Sequence, residues 1–459
     1  MNDRTPTPAR WLRSIFTGWR MPTPRPVDTE GEGAESLIGF VLAAAVVGAL
    51  TGLAAASFRV ALTYLSEWRT GLSGWGQGSA WGFFVVVLGC MAAVTAAAAL
   101  VRRLEPQAEG SGIPHVEAVV AGRAEPGRFR ILPIKYVGGL LSMGGGLALG
   151  REGPSVQMGG SIAVIVASVT RRPMSDLRVL AAGGAAAGLA TAFNAPIAGG
   201  VFVLEELVKR FDPRTTIATL VASASGFAAA YPFVHSGSDF RMPDLQNPHM
   251  SNAGWVLAVG VTAGLLGVLY NKALMFGLHV ADTSRWPAEA RAAAIGAAVG
   301  VLVWCAPDLA GGGDNLTQDA LLGHGAAGAV LGILALRFVL GAVSYAAGTP
   351  GGLFAPMLVL GAYTGLLIGL VAEHLDATPP ESAALALIGM AAFFSATVQA
   401  PVTGLILATE LTGTTNQLPP MLGACASALL VAVALRSRPI YDLLTDRAAA
   451  LAVARGKAS

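Results

Sequence analysis

Five stretches of this chain are overwhelmingly apolar: Ser36–Phe58, Ala80–Val101, Trp255–Phe276, Ala292–Trp304 and Ala326–Ala347. Each is near or beyond the length of a membrane-crossing helix, which needs roughly 20 apolar residues. A bilayer admits only helices or closed barrels, because every backbone polar group must be satisfied within the protein. Blocks of Ala, Gly, Leu and Val without polar alternation exclude a barrel. Composition agrees, since 54% of the 459 residues are hydrophobic and 13% are charged, against about 25% charged in soluble domains. The expected fold class is an all-α polytopic membrane protein.

Thirty Lys and Arg against 28 Asp and Glu leave a net charge of +2, which points to no partner of either sign. Position is more informative. Arg4, Arg10, Arg13, Arg20 and Arg25 precede the first apolar run, and Arg447, Arg455 and Lys457 follow the last. By the positive-inside rule both ends are expected in the cytoplasm. No apolar stretch follows the first Met, so no cleaved signal peptide is expected. "RWLRSIFTGWR" reads either as a basic amphipathic helix on the inner leaflet or as a disordered tail. Cys90, Cys305 and Cys425 are scattered and odd in number, and the six His residues form no HExxH pair, so neither a disulfide framework nor a metal site is expected. Cofactors are expected to be none. "GREGPS" lacks the Lys-Ser/Thr of a phosphate-binding loop. Basic residues without interleaved aromatics give no reason to expect nucleic acid.

The Pro/Gly punctuation repeats. "AGGAAAGLATAFNAPIAGGVFVLEEL" (182–207) aligns with "LIGMAAFFSATVQAPVTGLILATEL" (387–411), setting Gly184 on Gly389, Pro196 on Pro401, Gly199 on Gly404 and Glu205 on Glu410. Upstream, Pro154 falls on Pro356 and Gly159 on Gly361 at nearly the same offset. This predicts a duplication: a basic tail (1–35), a first membrane repeat (36–230), an external linker loop (231–252), a second repeat (253–435), and a C-terminal pore-lining helix with a cytoplasmic tail (436–459). Several remaining apolar segments, Gly112–Gly122, Gly153–Val169, Pro196–Val208 and Pro401–Leu411, are too short to cross and begin at Gly or Pro. Interrupted helices at matched positions of two repeats are the pattern of a transporter substrate site.

A helix that starts inside a membrane presents unpaired N–H groups and the positive end of its dipole. That is an anion site made without a full positive charge. Such a site binds weakly enough to let the ion leave, as conduction requires. "GSGIP" (110–114), "GREGP" (150–154) and "GGLFAP" (351–356) have this form. The second sets Arg151 and Glu152 alone in a run, Val137–Thr170, that holds no other charge.

These three motifs, in this order and with "FNAPIAGGVFVLEE" and a late "RPIY", resemble the signature set of the CLC family of chloride channels and chloride/proton antiporters. The resemblance spans Ser36 to about Thr445. It implies a CLC-like fold of two inverted repeats of tilted, partly broken helices, paired as a homodimer. The selectivity motifs are Gly110, Ser111, Gly112, Ile113 and Pro114; Gly150, Arg151, Glu152, Gly153 and Pro154; and Gly352, Leu353, Phe354, Ala355 and Pro356. It further implies that Ser111 and Tyr441 offer hydroxyls to a dehydrated chloride and that the amides of Leu353 and Phe354 complete that central site. Gly150, Arg151 and Gly153 border an outer one. Serine at 111 favours chloride over nitrate. Nothing after Tyr441 fits the nucleotide-sensing domains of larger members, so no nucleotide partner is expected, and a multi-pass protein of a prokaryotic inner membrane is.

Glu152 then has a role: ionised, it occupies the outer anion position and closes the path; protonated, it swings away. An Arg151–Glu152 ion pair is the plainer alternative, although adjacent helix residues do not face each other. An exchanger needs a second protonatable group on the cytoplasmic side. The repeat pairs Glu205 with Glu410, a position shared by both halves for packing or capping, and leaves Glu206 as the odd one out. The resemblance makes Glu206 the internal proton-transfer residue. The expected function is proton-coupled chloride antiport, with chloride and protons as the transported partners and no enzymatic activity. A passive chloride channel is the alternative. A remote third reading takes "GGGD" (311–314) and "YD" (441–442), which resemble the motifs of GxGD intramembrane aspartyl proteases but stand in reverse order. His115 stands where the family often has an acid, and a loop-side or capping role is expected for it.

Overall fold

A computed structural model describes residues 34–234, 237–376 and 378–457. The basic N-terminal segment, including "RWLRSIFTGWR", lies outside the described residues. Those described form α-helices and no β-strand. The first series is α1 (Ala34–Gln77), α2 (Gly82–Leu104), α3 (Ile113–Val120), α4 (Ile131–Gly144), α5 (Glu152–Val169), α6 (Met174–Phe193), α7 (Pro196–Phe202, continued by a π-turn over Val203–Leu207) and α8 (Pro213–Ala230). The second is α9 (Ala253–Thr283), α10 (Ala288–Cys305), α11 (Asp314–Leu321), α12 (Ala327–Tyr345), α13 (Phe354–Leu375), α14 (Ser382–Val398), α15 (Pro401–Thr412) and α16 (Leu418–Ala434), and α17 (Ile440–Lys457) follows. Each helix of one series has a counterpart at the same place in the other.

The five apolar runs lie in α1, α2, α9, α10 and α12, all long and apolar enough to cross a membrane, and α13 is a sixth. Leu42, Val46, Leu50, Phe84, Leu88, Leu257, Leu265, Leu331 and Val339 on these helices are exposed, which is the surface a lipid-facing helix should present. Four helices are instead sheathed by the rest: α5, α6, α13 and α14 are buried along nearly their whole length, and all 17 residues of α14 are buried.

Small residues let these inner helices touch backbone to backbone. A Cβ on Gly159 or Gly184 would run into the other's carbonyl oxygen, and the same holds for Gly361 and Gly389. The two contacts occupy matched positions, so the duplication extends to the packing. Gly389→Leu is expected to destabilise the protein by about 3 kcal/mol or more, as overpacking a rigid core does. The unfolding midpoint in detergent measures it, and an unchanged midpoint would count against the contact.

The two halves also share polar anchors. Glu205 accepts hydrogen bonds from the amides of Val402 (3.1 Å) and Thr403 (2.7 Å) at the start of α15. Reciprocally, Glu410 accepts from Ile197 (3.1 Å) and Ala198 (2.7 Å) at the start of α7. Each repeat thus caps a broken helix of the other. Lys135, fully buried, donates to the carbonyls of Ala108 and Gly110, just before α3. Its counterpart Arg337, 1% exposed, donates to Leu309, Gly311 and Gly312, just before α11. Burying a cation is costly unless its donors are paired; carbonyls at chain turns meet the Lys135 ammonium and both Nη atoms of Arg337, while Arg337 Nε has no partner among the described residues.

Candidate anion pathway

The three glycine-rich motifs meet. Gly110 N donates to Thr349 O (3.1 Å) and Gly351 N to Gly110 O (3.0 Å), while Gly150 and Gly352 exchange a pair of hydrogen bonds at 2.9 and 2.7 Å. These short bridges bring together the starts of α3, α5 and α13. The approach is close enough that a Cβ on Gly153 would strike Ser111, and a Cβ on Gly352 would come within 2.8 Å of Gly153 N. Gly112, at φ +82°, makes the left-handed turn that launches α3, a conformation glycine adopts without penalty.

Around this convergence sit side chains buried without hydrogen-bond partners. Ser111 Oγ and Tyr441 Oη are two, and Glu152 Oε2 and Glu206 Oε1 are two more. Buried polar atoms are almost always paired, so these four are candidates to meet a partner other than protein. Ser111 N donates to Tyr345 Oη (3.1 Å). Tyr441, from the first turn of α17, packs its ring 6.1 Å from Phe354 and 6.2 Å from Phe202. Leu353, the residue preceding α13, and Phe354, its first residue, are both fully buried. Phe202 in α7, Phe354 in α13 and Tyr441 in α17, distant in sequence, therefore wall one interior region. Unpartnered hydroxyls and helix-start amides without a full positive charge are the chemistry of a weak anion site.

Glu152 is the first residue of α5 and 1% exposed. Its carboxylate lies against Gly150 and Gly352, beside the first turn of α13. An acidic side chain thus rests at the start of α13, where the helix dipole favours negative charge. It also borders a cavity of about 260 Å³, shared with Gly150, Arg151, Arg69 and Asp314. Arg151 makes no pair with Glu152: it donates to Asp314 (2.9 Å) and to Ala192 O (3.0 Å), and stands 3.6 Å from Asp239.

Glu206 lies in the π-turn that ends α7, 4% exposed. Such turns displace a side chain from its regular helical direction and recur at functional sites. Glu205 turns outward to cap α15, whereas the charges around Glu206 are Lys209, Asp442, Glu117 and Glu205. Lys209 pairs with Asp442 (2.7 Å) and Glu117 (3.8 Å), and Glu117 also meets Arg123 (2.9 Å) and Thr445 (3.2 Å). This mouth opens on a second cavity, about 350 Å³, lined by Glu117, Lys209, Asp442, Arg123 and Arg438.

His115 sits in the first turn of α3, its Nδ1 3.5 Å from Gln157 Nε2. It belongs to a helix rather than a loop, and Gln157 takes the contact. Asp314 and Asp442 line different cavities, each with a basic partner, so the paired carboxylates an aspartyl protease needs do not face one another. Among the described residues no cluster of His, Cys, Asp and Glu could hold a metal ion. Tyr345, Asp239 and the paired anchors Lys135 and Arg337 were not singled out by sequence. An isolated basic residue inside an apolar run was the signal available for the anchors.

Residues 92–433 match the profile of the family described as "Voltage gated chloride channel". The H(+)/Cl(-) exchange transporter ClcA of Vibrio cholerae serotype O1 is 36% identical over 418 residues, 88% of this chain and 88% of the relative. That of Vibrio parahaemolyticus is 35% identical over 421 residues, 89% of each. A slow cyanobacterial Cl-/H+ antiporter superposes with a TM-score of 0.85 at 31% identity, covering 90% of this chain and 98% of its own. A eukaryotic CLC transporter shares the fold at a TM-score of 0.76 and 22% identity, covering 90% and 74%. The chain is a multi-pass integral membrane protein and belongs to the CLC family of voltage-gated chloride channels and transporters.

Proposed function

We propose that this protein exchanges chloride for protons across a membrane, the activity for which its ClcA relatives and the cyanobacterial structure are named. One observation carries the reading: two buried carboxylates, Glu152 and Glu206, each keep an oxygen without a hydrogen-bond partner among the described residues, the first on the cavity shared with Arg151 and Asp314, the second next in sequence to Leu207, Val208 and Lys209, which line the other. A passive chloride path needs the first of these at most. Coupling needs both, because protons and chloride must part below the shared gate.

Dehydrated chloride rests between Ser111 Oγ, Tyr441 Oη and the amides of Leu353 and Phe354. Gly150, Arg151 and Gly153 border a second position beside the Glu152 cavity. Ionised Glu152 fills that second position; protonated, it loses its attraction to the helix starts and yields the place to chloride. Glu206 exchanges protons with the mouth formed by Glu117, Lys209 and Asp442, then with Glu152. The Glu152 cavity faces outward and the cavity of Glu117, Lys209 and Asp442 the cytoplasm, with both termini cytoplasmic in a bacterial inner membrane. Two copies pair through α7, α8, α15 and α16, whose Ile197, Leu220, Val402 and Leu422 are apolar and exposed. No cofactor or metal is required, and the protein is a transporter rather than an enzyme.

Purified protein in liposomes provides the test. An imposed chloride gradient is expected to drive protons uphill, read with a pH-sensitive dye, and a protonophore should collapse the signal. Chloride movement with flat pH would establish a channel instead.

A further inference from the structure

Beside Glu152 the cavity is lined by two further acidic residues that the exchange reading leaves unused, Asp308 and Asp314, and the second is paired with Arg151. Asp314 is the first residue of α11, the counterpart of α3. It follows Gly313, whose φ of +95° matches the +82° of Gly112. In the first half this left-handed turn, braced by Lys135, carries Ser111. In the second half the same turn, braced by Arg337, presents Gly311, Gly312, Gly313 and Asp314 to the cavity. The helix start favours a carboxylate in its first turn, so the acidic side chain is held at the rim.

What it holds there is Arg151. Each of the three guanidinium nitrogens faces a protein oxygen: Nη1 reaches Asp314 at 2.9 Å, Nη2 stands 3.6 Å from Asp239, and Nε donates to Ala192 O at 3.0 Å. Asp239 is tied in turn to Arg59 at 2.8 Å. Two carboxylates therefore offset the two guanidiniums of this network. Asp314 is the exposed member, its side chain 50% accessible where Arg151 and Asp239 are 16% and 9%. A half-exposed ion pair contributes little to stability. A fixed charge at the rim of a narrow cavity, by contrast, strongly changes the local concentration of a mobile ion.

We propose that Asp314 throttles anion entry. It competes with chloride for Arg151 and adds negative potential to the vestibule, so it sets the chloride affinity of that face. This rests on the reading that chloride passes Glu152, and it assigns Asp314 a positioning role through Arg151 rather than contact with the ion.

The test varies chloride on one face of a planar bilayer at a time. Asp314→Asn should lower the half-saturating chloride about fivefold on the Glu152 side and leave the opposite face and the coupling ratio unchanged. The difference should shrink as an inert salt raises ionic strength, and Asp314→Glu should behave as wild type. Asp239→Asn removes the farther carboxylate and should shift affinity the same way by less, which keeps the idea testable if Asp314→Asn does not fold. An unchanged or raised half-saturation in a variant that still exchanges overturns the throttle alone. A wild-type protein that moves no chloride would instead refute the transport reading on which it rests.

Discussion

Replacing Glu206 with Ala is expected to yield protein that carries chloride while proton movement falls by roughly a hundredfold, the scale on which a positioned proton-transfer group acts. The structure gives reason to expect a clean separation. Among the described residues Glu206 forms no ion pair, and Lys209 is held by Asp442 at 2.7 Å and Glu117 at 3.8 Å. Removing the carboxylate therefore strands no buried cation, and the penalty of an orphaned charge does not arise. The neighbouring Glu205, which caps α15 through Val402 and Thr403, stays intact. Glu206→Gln is the sharper variant: it keeps shape and hydrogen-bonding capacity and loses only the proton. Uphill proton pumping and chloride efflux, measured on the same liposomes, decide the matter. A preserved coupling ratio in Glu206→Gln would show that protons take another route, and loss of both fluxes would show a structural role.

How much of this could be read from residues alone depends on where a partner lies. The spans of α1, α2, α9, α10 and α12 stand out because lipid selects continuous apolar sequence, with no partner to identify. The sixth, α13, was read only through its head, "GGLFAP", since a helix buried among other helices has the same composition as one in lipid. The broken helices were legible because Gly and Pro are needed wherever a helix starts inside the membrane. The pairing of Glu205 with Glu410 followed from the repeat offset, and their reciprocal caps explain why the duplication retained both. Side-chain partnerships across distant segments were not legible. Arg151 meets Asp314, 163 positions later, and nothing local signals it. Lys135 and Arg337 bond to backbone carbonyls, groups every residue possesses. The sequence distinguished Glu206 from Glu205 by repeat logic. The π-turn that aims them differently is a backbone event with no composition of its own.

Glu152→Ala is expected to produce the largest change in the pH profile. In the wild type the carboxylate rests against Gly150 and Gly352, the position the proposed function gives in turn to chloride. Protonation cancels the charge that holds it there, so chloride flux should rise as pH falls. Above the group's midpoint each further pH unit cuts the protonated fraction about tenfold, and flux at alkaline pH should decline accordingly. The alanine variant has no tethered anion to displace, while the helix starts that attract chloride remain, because their amides belong to the backbone. Its chloride flux should therefore be independent of pH over the same range and exceed the wild type most at the alkaline end. Proton coupling should vanish at the same time, since the group shared by both ions is gone. The alternative, in which Glu152 only braces the start of α5, predicts lower flux at every pH and an unaltered slope. Chloride efflux from liposomes at a series of pH values separates the two. A variant that retains the wild-type pH dependence would mean that the gate is some other group, and Asp314, in the same cavity, would be the next to substitute.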